Sequence, residues 1–234
     1  MSKWMRWVSI ILPLTIIVVG LGAVVIWSWH PERFPLRTVQ VRAQLKQLKE
    51  SDIKATVLPF LSQGFFRVSV RAIRDELQHL PWVQSVEVRR IWPDVLQVSI
   101  QEQMAQAKWG EKGILSTDGT IFYPDPDTIP LKLPQFEGPN ERAKEMQQQY
   151  LALLEALVPI GLTVEKLNLA PNGAWQMVLD NGMTVILGRT GLNDRINRFV
   201  LAYQSNLQAQ SQRIAYVDLR YTNGFAIGWK TGVQ

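Results

Sequence analysis

The longest apolar run is residues 8–27, VSIILPLTIIVVGLGAVVIW, which carries no charged side chain. At about 1.5 Å of rise per residue a helix of this length spans the roughly 30 Å hydrocarbon core of a bilayer. Lys3 and Arg6 precede the run, and Trp4, Trp7, Trp27 and Trp29 flank it as interfacial aromatics do. Pro13 is tolerated in a membrane helix, where it would weaken a soluble one. The pattern predicts a single transmembrane helix over residues 8–29 behind a short tail, residues 1–7. The alternative is a signal peptide cut after Gly20-Leu21-Gly22, against which the length of the run speaks. Arg33, Arg37 and Arg42 follow the span, so the charge balance leaves its orientation open. No second span is expected, and the bulk of the chain falls on one side.

After a Pro-flanked linker (HPERFP, residues 30–35), the period of the pattern changes. Val39 and Val41 alternate with polar residues in a strand over residues 36–42. Ser51 is a candidate cap for a helix from Asp52, with Ile53, Val57, Leu58 and Leu61 as its stripe. Ser69 is a second cap candidate, for a helix over residues 70–80 that carries Ile73, Leu77 and Leu80 and stops at Pro81. A hairpin follows, with strands at 83–91 and 95–102 around Trp92-Pro93-Asp94. Strand, helix, helix, strand, strand is the expected order of a domain over residues 36–104. A three-stranded sheet with two helices on one face would bury these stripes.

Residues 105–234 read as a second, mixed domain. Short strands at 105–109, 113–116 and 120–123 lead into a proline-rich loop. Asn140 is a candidate cap for a helix over residues 141–157, with Met146, Tyr150, Leu153, Leu154 and Leu157 inward. Strands at 164–169, 175–179 and 183–187 are punctuated by Asn172-Gly173 and Asn181-Gly182, a meander signal. A helix over residues 192–208 presents Ile196, Phe199, Val200, Tyr203 and Leu207. The chain closes on IAYVDLRYTNGFAIGW, residues 214–229. Tyr216, Asp218 and Arg220 alternate there with Val217, Leu219 and Tyr221, and Asn223-Gly224 predicts a two-residue hairpin turn before Phe225, Ile227 and Trp229. Such a hairpin either completes a sheet as ordinary core or forms its edge, where unpaired N–H and C=O groups face another chain. The fold class is α+β.

Composition narrows the chemistry. The chain has 234 residues, no cysteine and a formal net charge of +5. Disulfides, thiolate metal sites and a cysteine nucleophile are excluded. Residues 1–36 hold three Lys/Arg against one Glu, residues 37–110 eleven basic against seven acidic, and residues 111–234 eleven against twelve. The basic surplus is spread over strands and helices rather than interleaved with aromatics on one element, so nucleic acid is not an expected partner. His30 and His79 are isolated, and Asp125 and Asp127 read as a solvated loop pair. No nucleophile elbow or phosphate cradle is present. No catalysis, cofactor, metal or small-molecule substrate is expected.

Taken together, the chain resembles the FtsQ/DivIB family of bacterial cell-division proteins. LPWVQSVEVRRIWPDVLQVSIQEQ (residues 80–103) is similar to the end of a POTRA domain. LSTDGTIF (115–122), LPQFEGP (133–139), WQMVLDNGMTVILGR (175–189), RINRFVLAY (195–203) and IAYVDLRYTNGFAIGWK (214–230) stand in family order. The resemblance implies a single-pass protein of the bacterial inner membrane with a cytoplasmic N-terminus and a periplasmic bulk, concentrated at the division septum. It implies a non-enzymatic divisome scaffold that binds FtsB and FtsL and has FtsK among its upstream partners. It places the partner-binding surface at Arg220, Tyr221, Asn223, Gly224, Gly228 and Trp229. Where some relatives carry a basic residue just before the tryptophan of the W-x-x-x-L strand, this chain has Pro171-Asn172-Gly173-Ala174 ahead of Trp175. The alternative function is a POTRA-containing transport or outer-membrane assembly factor, which would need a barrel or several POTRA copies. A membrane-anchored peptidoglycan enzyme lacks its catalytic constellation here.

Overall fold

A computed structural model describes residues 14–23, 34–222 and 224–230. The chain divides into two compact units between Glu102 and Gln103. Of the apolar run, residues 14–23 are helical and exposed; the rest of the predicted span and the tail lie outside the described residues. Among the described residues, no helix is long and apolar enough to cross a membrane.

The first unit contains β1 (Thr38–Arg42), α1 (Glu50–Leu61), α2 (Val70–Gln78), β2 (Val83–Ile91) and β3 (Val95–Glu102). Its sheet has the order β1-β3-β2, with β1 parallel and β2 antiparallel to the central β3. The register sets Val86 against Ile100 and Val88 against Val98, so the valines of β2 line up with buried positions of β3. Ile53, Val57, Ile73 and Leu77 are fully buried, as stripes at helical spacing should be. Ser69 caps α2 by accepting from the Ala72 amide at 3.2 Å. Ser51 does not cap α1. The helix starts earlier, at Glu50 after Lys49, which puts Ser51 inside the first turn, and its hydroxyl donates to Asp52 instead.

Two polar ties close this unit. The Glu102 carboxylate, at the end of β3, accepts from the amides of Lys46, Gln47 and Leu48 at 2.8, 2.8 and 2.5 Å. A segment without secondary structure thus has its backbone donors satisfied by one side chain. At the other end of the sheet Arg90 stands in register with Leu96, on the valine face of β2. Its guanidinium donates to the carbonyls of Phe65 and Phe66 at 3.2 and 3.1 Å, which secures the loop between the helices.

The second unit is built on a nine-stranded sheet. In chain order its elements are β4 (Ala105–Trp109), β5 (Gly113–Ser116), β6 (Ile121–Phe122), β7 (Gln135–Glu137), α3 (Ala143–Leu157), β8 (Val164–Leu169), β9 (Trp175–Leu179), β10 (Thr184–Gly188), α4 (Leu192–Ala202), β11 (Ile214–Asp218) and β12 (Ala226–Trp229). The spatial order is β12-β11-β10-β9-β8-β7-β4-β5-β6. β8, β9 and β10 form the antiparallel meander, whereas β4–β7, β7–β8 and β10–β11 pair in parallel. Parallel neighbours need a crossover, and α3 and α4 lie in two of them. One face of the sheet is core: Phe136, Leu167, Met177, Val185 and Val217 are fully buried beneath Met146, Leu153, Leu157 and Phe199 of the two helices. Phe136 meets Tyr150 edge-on, with ring centroids 4.9 Å apart.

Two local expectations fail here. Asn140 does not cap α3. Its side-chain oxygen accepts from the indole N–H of buried Trp109 at 2.7 Å, and residues Asn140–Arg142 form a 3-10 turn ahead of the helix. A buried indole needs an acceptor, and that demand takes the cap residue. α4 stops at Ala202 and continues as a π turn over Tyr203–Leu207 and a 3-10 turn over Gln208–Arg213, still burying Tyr203 and Leu207.

Glu102→Ala removes three charge-assisted hydrogen bonds at once. It is expected to raise the opening equilibrium of the segment at 46–48 by ~30-fold, about 2 kcal/mol. Hydrogen exchange at the Gln47 and Leu48 amides checks this, with Glu137→Ala as a control in the other unit.

Candidate functional site

β11 is the last strand in the sheet's interior and β12 its outer edge. β11 lies parallel to β10 on one side and antiparallel to β12 on the other. β11 ends at Asp218 and β12 begins at Ala226, so the strands stop short of the two-residue turn expected at Asn223-Gly224. Asn223 itself lies outside the described residues.

Side-chain chemistry explains why the strand stops where it does. The Asp218 carboxylate is buried and accepts from the Arg220 amide at 3.0 Å and from the Arg220 guanidinium at 2.7–3.1 Å. An aspartate that bonds the amide two residues on imposes a turn on its own backbone. The Leu219 amide still donates to Ile186 of β10 at 2.9 Å, and Leu219 is fully buried. The chain leaves the sheet immediately afterwards.

α4 holds the far side of the bend. Arg195 donates to the carbonyls of Leu187 and, at 3.5 Å, Arg220. Arg198 donates to those of Thr222 and, at 3.4 Å, Leu219. These two arginines, one helical turn apart, therefore satisfy backbone acceptors at the end of β10 and in the segment after β11. Gly188 makes room for Arg195 and Arg220. Its φ is +80°, and a Cβ there would run into the Arg195 guanidinium and the Arg220 side chain.

Along the open face of the sheet the register forms a row Lys166, Val178, Thr184, Tyr216, Gly228. Tyr216, on β11, lies across Gly228, on β12, so closely that a Cβ at 228 would overlap its ring. An aromatic covering a cross-strand glycine is a way of pinning an edge strand. Trp229 pairs with Ile214 beyond an irregularity in the register, which turns it to the opposite face from Tyr216. The Arg213 guanidinium sits 5.9 Å from its ring centroid, within cation–π range.

The residues expected at a partner surface can now be located. Arg220 and Tyr221 lie on the loop at the sheet edge, Gly224 lies half-buried at its end, and Gly228 and Trp229 lie on β12. Tyr221 is 58% exposed and Trp229 51%. Arg220 is exposed but has its guanidinium committed to Asp218. Sequence reasoning missed Arg195, Arg198, Arg213 and Tyr216. The signal for the first two was a basic pair at i, i+3 beside the apolar stripe of α4. Tyr216 was legible as the outward residue of β11. Among the described residues, no group of three or more His, Asp or Glu could hold a metal ion.

Residues 104–220 match the family model for the C-terminal part of cell division protein FtsQ/DivIB, and residues 34–103 match the FtsQ-type POTRA domain. The chain belongs to the FtsQ/DivIB family. Cell division protein FtsQ of Coxiella burnetii is 34% identical over 212 residues, covering 91% of this chain and 87% of that protein. FtsQ of Xanthomonas campestris is 37% identical over 196 residues, covering 84% and 70%. FtsQ of Burkholderia pseudomallei is 36% identical over 205 residues, covering 86% and 82%. The FtsQ/DivIB C-terminal match runs through Arg220 and therefore includes β11 and both arginines of α4. The α+β architecture, with its FtsQ-type POTRA unit followed by a mixed sheet, is the frame on which the edge is built.

Two tests probe the clamp. The Arg220 guanidinium bonded to Asp218 holds its carboxyl below the usual aspartate range, against the opposing effect of burial. An unfolded chain takes up that proton at about pH 3.9 and the folded one only at lower pH. The stabilisation is therefore complete above the ordinary value and lost as pH falls through the folded one. Exchange protection at the Arg220 amide is expected to hold from neutral pH to about pH 4 and to fall below it, and Asp218→Ala is expected to abolish the acid-sensitive part. Gly188→Ala puts a Cβ at a positive φ, a strain of about 1–2 kcal/mol, and displaces Arg195. It should raise exchange at Leu219 and Arg220 while leaving the 34–102 unit unchanged.

Proposed function

We propose that this chain is a non-enzymatic divisome scaffold of the bacterial inner membrane. It is anchored by one helix over residues 8–29, with the N-terminus cytoplasmic and both folded units periplasmic. It links upstream components, FtsK among them, to FtsB and FtsL in support of septum formation. FtsB and FtsL dock on the C-terminal edge of the second unit.

The observation that carries this reading is the contrast between the two edges of the nine-stranded sheet. At one edge β6 has only two residues, Ile121–Phe122, and Pro124, Pro126 and Pro130 crowd the chain after it. Short edges and prolines are how proteins block strand addition. At the other edge β12, Ala226–Trp229 (AIGW), has no charge and no proline. Among the described residues no further strand pairs with it, and an outward edge of this kind can add a partner strand. Tyr221 and Trp229, the residue types that act as interface anchors, stand exposed beside it. The family names of the relatives, cell division protein FtsQ, support the cellular role.

Trp229→Ala and Tyr221→Ala are each expected to weaken co-purification with FtsB and FtsL by roughly tenfold or more, the loss typical of an anchor. The melting of the folded units is expected to stay cooperative. Undiminished capture would overturn the edge as the docking site, and lost cooperativity would make these residues core. A fluorescent protein that matures only in the cytoplasm, fused to Met1, should mark the division plane. A uniform membrane signal through division would point instead to a transport role.

A further inference from the structure

At one end of the first unit the sheet and the loop between its helices display apolar side chains to solvent. Trp92, in the β2–β3 turn, is 72% exposed, Phe66 42% and Ile91 40%. Phe66 packs edge-on against Phe34 and Phe65, with centroids 5.1 and 5.3 Å apart. The Arg90 guanidinium ties the Phe65-Phe66 loop to the end of β2. The Arg37 amide donates to Asp94 at 3.0 Å, and the Phe65 amide to Phe34 at 2.7 Å. Those bonds gather Phe34, Phe66, Trp92 and the exposed Arg37, Arg67 and Arg90 onto one end of the unit. None of these three arginines forms an ion pair among the described residues. Soluble surfaces seldom show such a concentration of large apolar rings; Trp is enriched at bilayer interfaces, and the Arg guanidinium pairs with phosphate.

This end is also where the chain arrives. Trp29 closes the apolar stretch at its folded side, and five peptide units separate it from Phe34. At no more than about 3.6 Å each, they keep Phe34 within ~18 Å of that tryptophan. The aromatic end is thus tethered close to the headgroup layer, while the opposite end of β2, at Ser85, lies ~20 Å further along the strand.

We propose that this end of the POTRA unit rests on the bilayer: Trp92 and Phe66 insert among the lipid headgroups, and Arg37, Arg67 and Arg90 face their phosphates. The proposal rests on the reading that residues 8–29 span the membrane. It gives the unit a preferred orientation above the bilayer, which attachment to a span does not by itself supply.

The chain has no cysteine, so single labels report single positions. Spin labels on Ile91→Cys, Arg67→Cys, Ser85→Cys and Val18→Cys would be read in the full chain, in nanodiscs of phosphatidylethanolamine and phosphatidylglycerol, by collision with oxygen and with a water-soluble nickel chelate. Labels at 91 and 67 are expected to show an oxygen-to-nickel accessibility ratio several-fold above that at 85. Adding Trp92→Glu should bring the ratio at 91 down to that at 85. If 18 is lipid-embedded while 91 and 67 match 85, the headgroup contact is wrong and the span stands. If 18 is water-exposed, the span reading falls and takes this inference with it. A ratio at 91 that ignores Trp92→Glu also overturns the proposal, since the aromatic would then not hold the end at the interface.

Discussion

The edge of the large sheet depends on one buried carboxylate. Asp218 ends β11 by drawing the Arg220 amide and guanidinium onto itself. Were β11 to continue, its next residues would keep pairing with β12 across a tight turn, and Tyr221 would be a strand residue. Instead the chain swings out over the carbonyls that Arg195 and Arg198 collect, and returns as a short strand. Most of the candidate surface inherits its place from that bend. It is also held from the core outward. Ile196 and Phe199 of α4 are buried against the sheet, so the two arginines on the same helix project from a fixed base.

The same bend marks the limit of what the chain discloses without coordinates. Alternation and turn residues were enough for β2, β3, β8, β9 and β10, whose partners are adjacent in sequence and whose apolar faces are continuous. Ser69 read correctly as a cap because nothing competes for its hydroxyl. Asn140 misled because a local signal assumes that the nearest backbone claims the side chain, and here the distant Trp109 indole claimed its oxygen. At the end of β11 the Asp218 carboxylate bends the chain before the expected hairpin turn is reached. The parallel pairings of β4, β7 and β8, and of β10 with β11, were not legible, since register between strands with other elements between them leaves no periodicity to read. Of the candidate surface, Arg220, Tyr221 and Trp229 stand exposed at the edge, but Arg220 is tied to Asp218, and the clamp beneath them was missed.

The glycines at 188 and 228 serve opposite purposes. Gly188 stands under a cation and takes a φ that other residues rarely adopt, so it permits a contact. Gly228 lets the Tyr216 ring lie flat over the edge strand, and so covers part of the one face of β12 that neither α4 nor a partner strand would protect.

An open edge of this size is a weak site by itself. Four residues of strand offer only a few outward hydrogen bonds, each worth about 1 kcal/mol net, against an association cost of at least ~4 kcal/mol. The aromatics at 221 and 229 add the larger part, as burial of Tyr and Trp anchors does elsewhere. What remains would come from confinement. On the proposed anchoring, a partner held in the same membrane would meet the edge at an effective concentration set by the reach of its own linker rather than by the cell volume.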